Sequence, residues 1–242
     1  MTRTLRVATY NIHKCRGLDR RVRPDRIADV LEELDADVIG LQEVVRIPGG
    51  QPEQDQVQFI AERLKDYQWC FGENRLHGGG PYGNAVLSRK PITHFFNYDL
   101  TWKKRERRGC LRADIHVAEN CVLHIFNVHL GTGFVERRHQ ARTLISNGVL
   151  RREDLAGPRI VVGDFNEWTR GLASRLMSQN FQSVDGKLFP KLRRTYPGLL
   201  PVLHLDHFYF DNALQLESFK VHRSRKALVA SDHLPLVANF RL

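Results

Sequence analysis

Residues 159–168 read RIVVGDFNEW, and residues 231–236 read SDHLPL. In the first stretch an apolar run (Ile160, Val161, Val162) halts at Gly163 and gives way to Asp164 and Asn166. A strand covered on both faces needs apolar side chains at consecutive positions. Polar groups at its carboxyl end lie where α/β folds gather binding residues in a crevice. The same punctuation recurs along the chain. LRVATYNI stops at Asn11, DVIGLQEV at Glu43, and CVLHIFNVHL at Asn127 and His129; LDHFYF carries Asp206 and His207, and SDHLPL carries Asp232 and His233.

Working outward, these runs and NAVLSR, LRADIHV and LESFKV read as strands. Ile27, Val30, Leu31 and Leu34 follow Pro24 at helical spacing, which predicts a helix over 24–34. Val57, Ile60, Ala61 and Leu64 predict a second helix, and 135–150 a third. Pro48-Gly49-Gly50 and Gly78-Gly79-Gly80-Pro81 mark loops. Strands outnumber helices, so the pattern predicts an α/β sandwich: two packed sheets with helices outside. No linker composition and no short tandem repeat interrupts the chain, and residues 1–242 read as one domain.

Composition narrows the function. The net charge of +10 favours anionic partners without choosing among nucleic acid, phosphorylated metabolites and acidic lipid headgroups. No run of 18 apolar residues exists, so no membrane-spanning helix is expected. Leu5 to Ile12 is too short and too polar for a secretory core, and no two of the four cysteines have C-x-x-C spacing. The expectation is a cytoplasmic setting with free thiols, and a monomer.

Each polar strand end has an ordinary explanation when taken alone. Asn11 and Asp164 suit turns, Asp232 suits a helix cap, and His129 and His233 suit satisfied structural positions. Their recurrence in one chain is the signal. Carboxylates and amides are hard oxygen donors that fit Mg²⁺.

In this order, TYNI (9–12), LQEV (41–44), GNAVLSR (83–89), NVHL (127–130), GDFN (163–166), LDHFYF (205–210) and SDHLPL (231–236) resemble the endonuclease/exonuclease/phosphatase superfamily. The resemblance runs from Thr9 to Leu236. GDFN followed by SDHxPL is its most specific part. TYNIHKCRG, GDFNEW and RTYPGLLPVLHLDHFYF look like a small bacterial branch, the YbhP-like proteins. The resemblance implies a DNase I-like four-layer α/β sandwich with two packed mixed β-sheets flanked by helices. It implies a Mg²⁺- or Mn²⁺-dependent phosphoesterase using activated water. Glu43, Asn11 and Asp232 would hold the metal. His233, oriented by Asp206, would act at the phosphate. Asp164 would orient the attacking water and take its proton, Asn166 would hold that water or a phosphate oxygen, and His129 would donate to a phosphoryl oxygen. Which residue is the formal base stays open. One departure is His13, which stands where DNA-repair members carry an acid, and it moves weight toward phosphodiesterases lacking that acid.

Three basic clusters bear on the substrate: KKRERR (103–108), Lys187 with Lys191, Arg193 and Arg194, and 222–226. The first reads as a rim that steers polyanions or, for any single arginine, as a solvated loop. Trp102 and Trp168 offer stacking faces for bases, although packing is the preferred reading of both. A nuclease and a lipid-headgroup or small-molecule phosphodiesterase therefore stand side by side, since a basic rim also suits a membrane surface. A phosphate-binding module without turnover is the reading from a different class. The intact carboxylates and His233 argue against it.

Overall fold

The computed structural model describes residues 4–119, 121–168, 171–184 and 194–242. Lys187, Lys191 and Arg193 of the second basic cluster lie outside the described residues. In chain order the elements are β1 (Thr4–Asn11), α1 (Pro24–Leu34), β2 (Val38–Val45), α2 (Gln56–Leu64), β3 (Gln68–His77), β4 (Gly80–Ser88), β5 (Ile92–Asp99) and β6 (Gly109–Ala118). Then follow β7 (Cys121–His129), α3 (Phe134–Leu144), β8 (Arg159–Asp164), α4 (Leu172–Asn180), β9 (Gln182–Ser183), β10 (Asp206–Phe210), β11 (Gln215–Val221), α5 (Ala227–Ala230) and β12 (Leu236–Arg241).

The strands form two six-stranded sheets, ordered β11-β12-β1-β2-β4-β3 and β5-β6-β7-β8-β10-β9. Each sheet is built the same way. A parallel pair (β1–β2, β7–β8) lies at its centre, with antiparallel strands outward on both sides. A helix lies in the chain between the members of each parallel pair, α1 in one and α3 in the other. The predicted sandwich is thus observed, with both sheets mixed.

Side-chain parity assigns the layers, because alternate residues of a strand face opposite ways. Val7, Val38, Val162, Phe208 and Ala238 pack between the sheets. Ala8, Tyr10, Ile39 and Leu41 pack outward on Ile27, Leu31 and Ile60 of the first helical layer. Phe126, Val128, Val161 and Tyr209 pack on Ala141, Leu144 and Met177 of the second. Three apolar layers require four structural layers, so strands buried on both faces become apolar throughout.

The helix over 24–34 has the expected bounds; Pro24 opens it and Asp35, with φ 47°, ends it. The helix expected to reach 150 instead stops at Leu144. There the Ser146 hydroxyl donates to the Thr143 carbonyl, a side-chain bond that closes the turn instead of continuing the helix. Strands β3 and β5 and helix α4 had no signal in the pattern. The β5 strand is largely exposed, so its apolar content never alternates cleanly.

Candidate active site

The two parallel pairs bring their carboxyl ends to one end of the sandwich. There the inter-sheet layer changes from apolar to polar. In β1 the inward parity runs Leu5, Val7, Thr9, Asn11, and in β8 it runs Ile160, Val162, Asp164. Asp206 begins β10 instead of ending a strand. It reaches the same place because β10 is antiparallel to β8 and pairs Asp206 with Asp164. Asp232 and His233 likewise precede β12, which is antiparallel to β1.

Glu43 reaches the site by an irregularity. Between the pairs Leu41↔Ala85 and Val44↔Gly83, β2 has one residue more than β4. This bulge shifts the parity, so Leu41 and Val44 both face the helical layer. Glu43 sits within the bulge at φ 58°, a left-handed conformation that a non-glycine residue keeps only when its surroundings hold it there. Beyond Asn11 the chain makes another left-handed run, His13, Lys14 and Cys15 at φ 45°, 57° and 56°. Lys14 Nζ thereby reaches Glu43 Oε2 at 2.5 Å.

Asp164 Oδ2 is the meeting point. Asn11 Nδ2 donates to it at 3.0 Å, and His129 Nε2 and His233 Nε2 stand 3.6 and 3.7 Å away. The other oxygen, Oδ1, accepts the Asn166 backbone N–H at 2.8 Å. Burial pushes the Asp164 carboxyl up to about 6, against the pull of His233, with Asp206 adding to the rise.

His233 Nδ1 lies 2.9 Å from Asp206 Oδ2, which also accepts from the Thr195 hydroxyl at 2.5 Å. Burial opposes a charge on His233, but the Asp206 and Asp164 charges overcome it and raise the imidazole to about 10. The Tyr196 ring covers it, with centroids 4.9 Å apart. His129 is the opposite case. Burial and the Arg108 guanidinium hold it well below the usual imidazole range. Arg108 donates to His129 Nδ1 at 2.9 Å, so the neutral ring carries its proton on Nε2, facing Asp164.

Glu43 stays ionised. Burial would raise it, yet Lys14, through its charge and its direct hydrogen bond, leads the pull that brings it down to about 2. Asn11 Nδ2 lies 3.3 Å from Glu43 Oε1, while Asn11 Oδ1 accepts the His13 backbone N–H at 3.0 Å. Asp232 is part-exposed, 3.3 Å from His13 Nδ1. Asn166 donates its amide to the Leu130 carbonyl, which leaves its side-chain oxygen as the group it can offer a ligand.

Among the described residues, two groups of side chains offer donors to a cation. Asp164, Asp206 and His233 hold ligand atoms within 4.8 Å of one another. Asp206 Oδ2 and His233 Nδ1 are already committed to each other, so this group is a hydrogen-bonded relay. Glu43 fits a cation better. It is ionised, it has hard oxygens, and an ammonium already rests on it. Asn11 joins as an oxygen donor only by turning its amide, which gives up the His13 bond and its donations to Glu43 and Asp164.

The structure brings Asn11, Glu43, His129, Asp164, Asp206 and His233 into one hydrogen-bonded and ion-paired cluster, with Asn166 bonded at its edge and Asp232 at its rim. Several residues were missed. Lys14 sits inside the TYNIHKCRG motif, yet nothing in its spacing marks its partner. Arg108, expected in a solvated loop, is buried against His129, while Lys103, Lys104, Arg105 and Arg107 are exposed. Trp168, expected to pack, is 66% exposed. Asn127 is a stitch between the sheets. It donates to the Leu41 and Ala85 carbonyls of the other sheet and accepts from Gln42 at 2.6 Å.

The family model for the endonuclease/exonuclease/phosphatase family matches residues 8–233. YbhP of Escherichia coli K12 is 30% identical over 250 residues, covering 99% of this chain and 97% of that protein. The mannosyl-6-phosphatase of Bacteroides thetaiotaomicron superposes with a TM-score of 0.80 at 18% identity, covering 98% of this chain and 99% of that one. TDP2 of D. rerio, complexed with a single-strand DNA product, superposes with a TM-score of 0.75 at 16% identity, covering 99% of each chain. The sandwich therefore has structural relatives over its whole length, and the chain belongs to the endonuclease/exonuclease/phosphatase family.

Proposed function

We propose that this protein is a divalent-cation-dependent phosphoesterase. The observation that carries the reading is the convergence on Asp164 Oδ2 of Asn11, His129 and His233, from both sheets. A phosphoester is anionic and repels its nucleophile, so catalysis consists mainly of positioning and charge neutralisation. His233 is protonated near neutrality. It binds a phosphoryl oxygen as a cationic donor and does not serve as the base. Asp164, ionised above about pH 6, takes the proton of the attacking water. Neutral His129 donates its Nε2–H to a second phosphoryl oxygen, and Arg108 fixes that tautomer. Asn166 accepts from the water.

Glu43, with Asn11 and Asp232 as further oxygen donors, would hold Mg²⁺ or Mn²⁺, and Lys14 would yield its place on Glu43. The bound cation supplies charge neutralisation at the phosphoryl oxygens and leaving group. The relatives act on, or hold, a sugar phosphate and a DNA strand, so the frame by itself is compatible with several phosphoesters.

The test is a hydrolysis panel with and without Mg²⁺ or Mn²⁺, against bis-p-nitrophenyl phosphate, plasmid DNA, RNA, phospholipids and inositol phosphates. The expected result is cation-dependent turnover that His233→Ala and Asp164→Asn abolish. Undiminished turnover in both variants would refute it.

A further inference from the structure

The loops around this site carry exposed aliphatic side chains that no core explains. Leu199, Leu200 and Val202 are 66%, 74% and 52% exposed. Their loop is tied to the site, since Gly198 N donates to the Asp232 carbonyl and Tyr196 covers His233. Leu18 and Val22 are exposed on the loop after β1, and Leu18 N bonds to the carbonyl of Val229, also exposed. Phe134 opens α3 just beyond the Leu130 carbonyl that holds Asn166, and Trp168 lies two residues past Asn166. An apolar surface gathered on one functional rim marks an interaction site.

The same rim is basic. Arg16, Arg20 and Arg21 are exposed beside Leu18 and Val22, and Lys103, Lys104, Arg105 and Arg107 project from the β5–β6 connection, which ends at the site through Arg108; the acids among them, Asp19 and Glu106, are paired with Arg26 and with Arg75 and Arg108. Next to the Lys14–Glu43 pair, a groove of ≈ 530 Å³ is lined by Lys14, Arg16 and Arg20 together with Val22, Val45 and Ile47, with Glu53 as its one carboxylate. Basic charge around apolar side chains matches one planar partner, a bilayer with an anionic surface and a hydrocarbon interior. Single-stranded nucleic acid fits less well. Bases stack on aromatic faces, and most of the exposed apolar side chains on this rim are aliphatic.

We propose that the active-site rim docks this protein on an anionic phospholipid surface, with Leu199 and Leu200 entering the bilayer and the basic loops on the headgroups. The site then faces headgroup phosphoesters. That last step rests on the phosphoesterase reading, whereas docking does not.

Flotation of the full chain with vesicles of phosphatidylcholine, alone or in equal parts with phosphatidylglycerol, separates the two. Binding to the mixed vesicles only is expected. Leu199→Asp with Leu200→Asp should weaken it about a hundredfold, each leucine contributing about tenfold. Bis-p-nitrophenyl phosphate hydrolysis should be unchanged in that variant, which also reports its folding; if the chain hydrolyses no phosphoester, an unchanged thermal midpoint reports it instead. No binding to anionic vesicles overturns the proposal, as does equal binding by the variant. So does single-stranded DNA binding that needs Trp168 and outcompetes vesicles. Vesicle binding without hydrolysis of any phosphoester supports docking and removes the phosphoesterase reading.

Discussion

Replacing Asp206 by Asn tests whether His233 works as a cation. Asn is isosteric and can still accept from Thr195, but it carries no charge. In the native protein His233 is raised from 6.5 to about 10, with Asp206 the leading favourable charge. A rise of that size corresponds to roughly 5 kcal/mol of preference for the charged ring. For a base raised in the folded state, this stabilisation is fully present below pH 6.5 and is lost as pH rises through 10. In Asp206→Asn the burial remains and the main counter-charge is gone, so the ring should titrate below neutrality. Its Nδ1–H would also lose its anionic acceptor. Hydrolysis at neutral pH should fall roughly 10³-fold, in line with removal of an oriented charged group from a phosphoryl or acyl site. The assay combines NMR titration of the His233 imidazole with initial rates on a soluble phosphodiester. Thermal unfolding should show wild-type stability declining near pH 10 through this pair, with no such step in the variant. An imidazole that still titrates above 9 in Asp206→Asn, or a rate within threefold of wild type, would refute the reasoning.

In the wild type, kcat/KM should decline as pH falls through about 6, because Asp164 takes up a proton and no longer accepts one from water; a limb near pH 4 would count against that assignment. Arg108→Met removes the donor that sets the His129 tautomer, a charge-assisted bond of about 1.5–3 kcal/mol. Rates should drop about tenfold to a hundredfold, and nitrogen NMR should show His129 mixing tautomers. Glu43→Gln should weaken Mn²⁺ binding in calorimetry at least about tenfold, from loss of the ionised ligand; unchanged affinity would move the cation elsewhere. Gly163→Ala should destabilise by at least about 3 kcal/mol in denaturant unfolding. Gly163 has φ 135°, and an added Cβ would lie 2.0 Å from the Val128 carbonyl oxygen.

The apolar runs and their polar ends were enough to predict an α/β sandwich with polar groups gathered at strand ends; the family, and with it the roles of the candidate site residues, came from the resemblance of the motifs in their order. Those features are local. A strand covered on both faces must be apolar at consecutive residues, and RIVVGDFN and SDHLPL display where each run meets the site. The helix over 24–34 was equally legible, because Pro24 and the spacing of Ile27, Leu31 and Leu34 are local signals. Tertiary structure alone decided the rest. Glu43 faces the site only because β2 has one residue too many against β4, a mismatch between two strands that neither contains by itself. Arg108 resembles its exposed neighbours in KKRERR until β6 and β7 pair and carry it onto His129. The opposite protonation of His129 and His233 has the same origin. Both rings are buried, and which one is charged depends on whether folding places a guanidinium or a carboxylate against it.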